Sequence, residues 1–322
     1  MFSYIVKLID LPNALFSKNP DKYWLQVVII IAIIMFCILL YKRQNLKPYY
    51  EGFSQDSRFV MKQNLDIYDE FYVAIYDRLM LVDSRSQFEL EQLIVMTEPS
   101  TKNSVFLEVG SGTGALLRKL QDAGYEAFGL DKSRAMVDAS LKKHPDIQVK
   151  CGDVHEPMIY DRGTFSHVIC TGMTFYQFDQ KMDFLRNCYY WIRPGGYLFL
   201  HLVDRDKFDT IIPSGKPPLL NAPQDYAKTR ITDTVIDFID FEYKASWKPG
   251  QSETSEMILK ETFTDELTQN VRQNEMTFYM EPLKTTLDMI RLSGFMVKGR
   301  ADMSSRGDPY QYYYILERPQ SK

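Results

Sequence analysis

Histidine, cysteine and tryptophan are scarce in this chain, with four, four and three residues among 322. The cysteines, Cys37, Cys151, Cys170 and Cys188, stand far apart, and no C-x-x-C pair occurs. Neither a zinc site nor a dense disulfide framework is therefore expected, and a reducing compartment suits the thiols. No histidines fall in an H-x-x-x-H pair, so no metal is expected. An excess of basic charge is also missing: 38 Lys and Arg face 42 Asp and Glu, a net charge of −4. Without a positive field to gather phosphates, nucleic acid is disfavoured as a partner. Internal repeats, low-complexity tracts and an obvious catalytic triad or carboxylate pair are absent too.

What is present is the balance of an ordinary globular protein, 45% hydrophobic and 25% charged residues, enough to bury a core. The length permits one large catalytic domain with an appendage. The appendage is at the N-terminus, where Trp24 to Tyr41 reads WLQVVIIIAIIMFCILLY with Gln26 as its one strongly polar residue. At 1.5 Å per residue this run just crosses a hydrocarbon core of about 30 Å. Trp24 and Tyr41 stand where interfacial aromatics belong, and Lys42 and Arg43 follow. A signal peptide is opposed by the lack of a small-residue cleavage site and by the polar residues Lys7, Asp10, Lys18 and Asp21 ahead of the run. The expected organisation is an N-terminal tail (1–22), a single transmembrane helix (23–41), a juxtamembrane linker (42–64) and a catalytic domain (65–322). Lys42, Arg43 and Lys47 slightly outweigh Lys18 and Lys22, which places that domain on the cytosolic side of a membrane.

Two amphipathic segments, LDIYDEFYVAIYDRLML and SRSQFELEQLIVM, lead the domain as helices. Short apolar runs then alternate with helical stretches: SVFLEVG, ALLRKLQDAG, EAFGLD, SRAMVDASLKKH, IQVKCGD, FSHVICTG, a helix over about 179–191, and GGYLFLHLV. Such alternation predicts an α/β, Rossmann-like doubly wound sheet built of parallel β-α-β units. Beyond Asp204 it stops. Residues 205–280 hold three strand-like runs, TVIDFIDFEYKASW, EMILKETFTDE and EMTFYM, read as an antiparallel insertion after the fifth strand. A helix, EPLKTTLDMIRLSG, and two closing strands, FMVKGRADM and QYYYILERP, complete the chain.

The sharpest motif is VFLEVGSGTGALL. Glu108 ends a strand, and Gly110, Ser111, Gly112 and Gly114 form the turn into a helix. Glycines belong there because the backbone must turn tightly and approach a ligand that a Cβ would obstruct. The spacing is G-x-G-x-G, not the G-x-G-x-x-G of dinucleotide sites, and a carboxylate precedes the turn where a diphosphate would be repelled. A ligand carrying positive charge fits better.

This strand and turn, followed by a strand ending at Asp131 (FGLD), another followed by Asp153 (KCGD), then FSHVIC and RPGGYLFL, resembles the class I S-adenosylmethionine-dependent methyltransferase family over about residues 66–318. The resemblance implies a seven-stranded sheet, mostly parallel with the last strand antiparallel, and S-adenosyl-L-methionine as cofactor. It also implies residue roles. Glu108, Gly110, Ser111, Gly112 and Gly114 would hold the methionine part, with Thr171 at the rim; Asp131, with Lys132 beside it, would take the ribose hydroxyls; Asp153 would take the adenine amino group and Val154 would lie against the ring or offer its N–H. Read by themselves, Asp131 also suits a helix N-cap and Asp153 a turn. Ser166 stands where the family commonly has an acidic residue. Should the acceptor need a base, His201 and then Tyr176 are the candidates. Tyr72 and Tyr76 would fold over the cofactor from the leading helix, or pack. The missing N-P-P-[YF] tetrapeptide disfavours a planar amide or exocyclic base nitrogen as acceptor. The acceptor is otherwise open among small molecules, lipids and proteins near a membrane. The aromatics Phe238, Phe241, Tyr243, Trp247, Phe263, Phe278 and Tyr279 would line its pocket or fill a core. A non-catalytic module with this fold and an NAD-dependent oxidoreductase are the alternatives.

Overall fold

The computed structural model describes residues 20–45, 55, 57–216, 223–250 and 255–320. The chain divides into two units, Met1–Glu51 and Gly52–Lys322. The first contains one described helix, α1 (Pro20–Asn45), whose side chains are exposed from Val28 to Leu39. The expected transmembrane span is not supported here, because among the described residues no helix is long and apolar enough to cross a membrane. Side chains of this helix are described for 27–39 alone, shorter than a span requires. Residues 1–19 of the expected tail and 46–54 and 56 of the expected linker lie outside the described residues.

The second unit opens on β1 (Phe59–Gln63) and two helices, α2 (Glu70–Leu79) and α3 (Val82–Thr97). Asp69 starts α2 by accepting the Tyr72 N–H at 3.2 Å, an N-cap that satisfies a donor the helix itself leaves unpaired. The alternating part follows: β2 (Val105–Val109), α4 (Ala115–Asp122), β3 (Glu126–Asp131), α5 (Arg134–Lys143), β4 (Gln148–Cys151), β5 (Phe165–Cys170), α6 (Lys181–Trp191) and β6 (Ile192–Val203). Four further strands come next, β7 (Asp233–Asp237), β8 (Phe241–Pro249), β9 (Glu256–Asp265) and β10 (Val271–Tyr279), then α7 (Leu283–Leu292), β11 (Met296–Asp302) and β12 (Gln311–Glu317).

One sheet has seven strands in the order β11-β12-β6-β5-β2-β3-β4. The five from β6 to β4 run parallel, and β12 is antiparallel to both neighbours. Its central strands are apolar on both faces: Phe106, Leu107, Val168 and Ile169 are all fully buried, as parallel strands must be when helices cover both sides. On one face Leu90 and Leu93 of α3 and Leu116, Leu117 and Leu120 of α4 pack into a core with Phe106, Ile169, Phe199 and Tyr313. At about 1.5–3 kcal/mol per large apolar side chain, this packing outweighs any single polar contact in the unit. From β2 the chain winds outward to β4, then returns to β5 and β6 on the other side. The reversal leaves a crevice at the C-terminal ends of β2 and β5, where such sheets bind ligands.

The mixed α/β fold with a parallel sheet was expected, but the strand-rich insertion differs from its sequence reading. It is one side of a second, five-stranded sheet, β1-β10-β9-β8-β7. The first expected run is a hairpin, β7 and β8, turning where the Phe238 N–H donates to the Phe241 carbonyl at 3.0 Å. The fifth strand, β1, comes from the expected linker and pairs parallel to β10, Phe59 opposite Val271. With alternate residues exposed along a five-residue edge, β1 carries little hydrophobic signal of its own. The aromatics of the insertion are mostly core: Phe241, Tyr243, Trp247, Phe263 and Phe278 are buried, and Tyr279 alone of the expected set borders the cleft described below.

Gly114 caps α4 in the left-handed region, φ +77°, and an added Cβ would lie 2.5 Å from Ile147 Cδ1. Backbone strain and overpacking act together there. Gly114→Ala is expected to lower stability by about 1–3 kcal/mol, measured as the urea midpoint at constant slope. An unchanged midpoint would mean that the turn relaxes at no cost.

Candidate functional site

The loops at the C-terminal edge of the parallel sheet converge on a cleft of about 440 Å³. Its floor is Gly110, Gly112, Asp131, Lys132, Gly152, Asp153 and Val154, each just beyond or at the end of β2, β3 or β4. Tyr68 and Tyr76 border it from the leading segment, and Gln177, Phe178, Met276 and Tyr279 from the far side. A small cavity of about 20 Å³ adjoins it, lined by Glu108, Ser111, Gly112, Thr171, Thr174, Arg85 and Glu89 among others.

Gly112, φ +50°, faces open space: an added Cβ would meet nothing closer than Tyr76 Cε1 at 4.0 Å. A side chain there would fill the cleft itself. The Gly112 N–H donates to Asp131 Oδ2 at 2.8 Å, and the Ser133 N–H to Oδ1 at 2.9 Å. The helix after Asp131 is capped by Ser133, whose Oγ accepts from the Met136 N–H at 3.2 Å. Asp131 therefore joins two loops and keeps further acceptor capacity on both oxygens. Burial raises its pKa, against those two backbone donors.

Asp153 is held differently. Lys132 Nζ lies 2.7 Å from its Oδ2, and the backbone N–H and ring Nδ1 of His155 lie 3.0 and 2.8 Å from its Oδ1. Partial burial works upward, but these donors hold the carboxyl down at about 2. Val154 is buried, and its carbonyl accepts from Asn187 Nδ2 at 2.9 Å.

Glu108 is the unusual member. It is 6% exposed, and its Oε2 has no hydrogen-bond partner among the described residues. Burial pushes its pKa far up, Glu89 and Asp131 add to that, and Arg85 pulls the other way. Ser111 Oγ and Arg85 Nε are likewise buried without a hydrogen-bond partner, and they border the same cavity. Arg85 Nε lies 3.5 Å from Glu89 Oε1. Burial opposes its charge, yet Tyr76 and Glu89 hold its pKa above the usual guanidinium range. The cavity thus presents one unpartnered carboxyl oxygen and one unpartnered guanidinium nitrogen, an acceptor and a donor suited to a group carrying both charges, such as an α-amino acid. Sequence reasoning passed over Arg85, which lies in a helix whose pattern says only that it packs. Nothing local marks it.

Two expected residues are elsewhere. Tyr176 is fully buried and pairs with Val203, taking its N–H at 2.9 Å. His201, 4% exposed, has both ring nitrogens engaged: Nδ1 with the Met173 N–H at 3.2 Å and Nε2 with Gln311 Oε1 at 3.0 Å. Neither borders either cavity, so neither is aimed at a bound acceptor. Both end as core residues because β6, which His201 belongs to, is covered on the next side by β12, with Tyr313 opposite His201. Of the pair in the leading helix, Tyr76 borders the cleft while Tyr72 turns inward to Glu261, its hydroxyl donating at 3.0 Å.

Residues 106–196 match the family described as a methyltransferase domain. No curated protein sequence matches the chain. Among solved structures, an S-adenosylmethionine-dependent methyltransferase from Clostridium acetobutylicum is similar at 14% identity and a TM-score of 0.58, covering 77% of this chain and 98% of that one. The CcbJ methyltransferase from Streptomyces caelestis is similar at 16% identity and 0.58, over 80% of this chain and all of that one. CalS10 from Micromonospora echinaspora, described as a SAM-bound amino pentose methyltransferase, gives 14% identity and 0.51, over 73% of this chain and 91% of that one. At these identities the likeness establishes the fold.

Because the folded state raises the Glu108 pKa above its unfolded value, the unfolded chain binds fewer protons between the two, and stability falls as pH rises through that window. Glu108→Gln removes this dependence. Its melting temperature, without ligand, is expected to exceed that of the unsubstituted protein by an amount that grows from pH 4.5 upward; a gap independent of pH would contradict the buried carboxylate.

Proposed function

We propose that the chain is an S-adenosylmethionine-dependent methyltransferase. The observation that carries this reading is the buried Glu108 carboxyl, with its Oε2 unpartnered among the described residues, beside Arg85 at the glycine turn. Glu108 would receive the ammonium of the methionine part and Arg85 its carboxylate. Gly112 leaves room for the chain of the ligand, Asp131 would accept both ribose hydroxyls on its remaining lone pairs, and Asp153 with the Val154 backbone would meet the adenine edge. A dinucleotide fits poorly, since its diphosphate would sit against Glu108 and Asp131. CalS10, the SAM-bound neighbour, supports the choice of cofactor.

When bound, the cofactor supplies an electrophilic methyl carbon on a sulfonium, so the protein's part is to orient the acceptor in line and keep water out. Tyr68 and Tyr76 serve the second task by closing the cleft from α2 and the turn before it. Neither His201 nor Tyr176 serves as a base, and the chemistry requires none when the acceptor is a neutral nucleophile. Our reading takes a small molecule as acceptor, entering between Gln177 and Phe178 on one side and Met276 and Tyr279 on the other. CalS10, named for an amino pentose, has the same fold and supports that class of acceptor.

Attachment to a membrane, with the catalytic unit on the cytosolic side, is proposed from composition alone, the apolar run from Trp24 to Tyr41 followed by Lys42 and Arg43. Retention of the full chain in the membrane pellet through alkaline carbonate extraction is the expected result. Release into the supernatant would refute the anchor.

Titration calorimetry with S-adenosylhomocysteine and with NAD separates the readings, the first expected to bind and the second not. Asp131→Ala should weaken S-adenosylhomocysteine by about tenfold to a hundredfold through loss of two charge-assisted hydrogen bonds, with the circular dichroism spectrum unchanged. Unaltered affinity in that variant would refute the ribose assignment.

A further inference from the structure

We propose that His201 is a positioning residue: its unprotonated Nδ1 holds the backbone of Met173, and with it the strained Gly172–Thr174 segment, whose Thr174 lines both cavities and Gly172 the smaller. This rests on the cleft being the methyl-transfer site. Three observations converge on that segment. Met173 is a non-glycine residue in the left-handed region, φ +64°, directly after Gly172 at φ +61°, a conformation kept only where the surroundings impose it. The segment is pressed from two sides of the site. Arg85 Nη1 stands 3.2 Å from where a Gly172 Cβ would be, and Thr174 Cγ2 stands 2.5 Å from where a Gly110 Cβ would be. Finally, the Met173 N–H donates to a side chain, His201 Nδ1, at 3.2 Å.

The hydrogen bonds fix the histidine's state. An N–H pointing at Nδ1 requires a lone pair there, so the ring proton is on Nε2, where it donates to Gln311 Oε1 at 3.0 Å. Protonation would put a hydrogen on Nδ1 against the Met173 N–H and release the segment. The groups that face His201 are Asp308 and Gln311, which favour the proton, and Arg85 and Arg306, which oppose it; Tyr313 of β12 lies against the ring at 5.3 Å. Burial is the larger influence and holds the ring neutral down to about pH 4. The hold is thus kept at neutral pH and lost only in acid. Residue 201 is not in contact with either cavity, so its effect on the site is transmitted through Met173.

The test compares His201→Asn, whose side-chain oxygen can replace Nδ1 as acceptor, with His201→Leu, which cannot, in the full chain. Hydrogen exchange of the Met173 amide and affinity for S-adenosylhomocysteine are both read. Expected in His201→Leu are about tenfold faster exchange at Met173 and about tenfold weaker binding, the effect of one lost hydrogen bond, while His201→Asn stays within about threefold of the unsubstituted protein in both. Equal behaviour of the two variants, whether both impaired or both intact, overturns the proposal. Should His201→Leu fail to fold, Gln311→Glu replaces it: a carboxylate on Nε2–H favours the imidazolium and should raise the pH at which Met173 protection is lost by about one unit or more. An unmoved acid limb is the contrary result. Failure of the unsubstituted protein to bind S-adenosylhomocysteine would instead refute the cofactor reading, and the exchange of Met173 would still decide the role of His201.

Discussion

The turn between β2 and α4 is the constraint on which the rest of the site depends. Its three glycines all have positive φ, yet their surroundings differ. Gly110 makes room for Thr174 across the switch point, Gly114 for Ile147 beneath α4, and Gly112 for nothing in the protein. The first and last are requirements of packing, and they would hold in any protein that closed this loop so tightly. The middle one is not a requirement of packing: only its φ of +50° favours glycine, and an added side chain would enter the cleft. The turn also points the Gly112 N–H at Asp131, so that the loop after β3 is fixed by the loop after β2. A change in the turn would therefore reach both ends of the cleft at once.

A second polar device ties the leading helix to the inserted sheet. Glu261 on β9 is fully enclosed and accepts from Tyr72 and Tyr243 on Oε1 and from Asn274 on Oε2. Arg272 on β10 bonds Asn274 and reaches Asp69 with both carboxylate oxygens at 3.0 and 2.8 Å. Burial raises the Glu261 pKa and the three donors oppose it. Buried networks of this kind add little net stability over an apolar filling, since desolvation offsets the attraction. What this one supplies is register. Tyr72 sits between Tyr68 and Tyr76, with ring centroids 5.7 and 5.9 Å away. Fixing the Tyr72 hydroxyl fixes where the two neighbouring rings meet the cleft. The inserted sheet thus sets the cover over the floor of the cleft.

Local pattern made most of the parallel sheet legible, and for a physical reason. Runs such as VFLEV and FSHVIC are buried on both faces, so their apolar character is continuous and visible without knowledge of partners. Glu108, Gly112, Asp131 and Asp153 stand at strand ends for the same reason, where apolar runs stop. What stayed hidden depends on contacts between distant residues. β1 has meaning only beside Val271 and its neighbours, some two hundred positions on, and Arg85 only beside Gly172 and Glu89. His201 misled in the opposite direction. A histidine at the end of a strand near the cleft reads as a base until β12 is laid alongside and Gln311 takes its outer nitrogen.

The electrostatics of the small cavity argue for its purpose more strongly than any single contact. Burial, Glu89 and Asp131 all discourage the charge of Glu108, and one guanidinium, Arg85, opposes them. A protein selected for stability alone would replace a buried carboxyl that leaves one oxygen unpartnered, since leaving a buried polar atom unsatisfied costs about 1–3 kcal/mol, and more when it is charged. Its retention next to a glycine that nothing fills makes sense if the missing partner comes from outside. A cation with its own carboxylate would answer both Glu108 and Arg85, relieve the mutual repulsion of the acidic groups, and occupy the space at Gly112. A neutral or polyanionic ligand would do none of these. In the free protein burial favours the neutral acid at Glu108, and a cationic ligand beside it would favour the carboxylate instead, so that charge and ligand would come together.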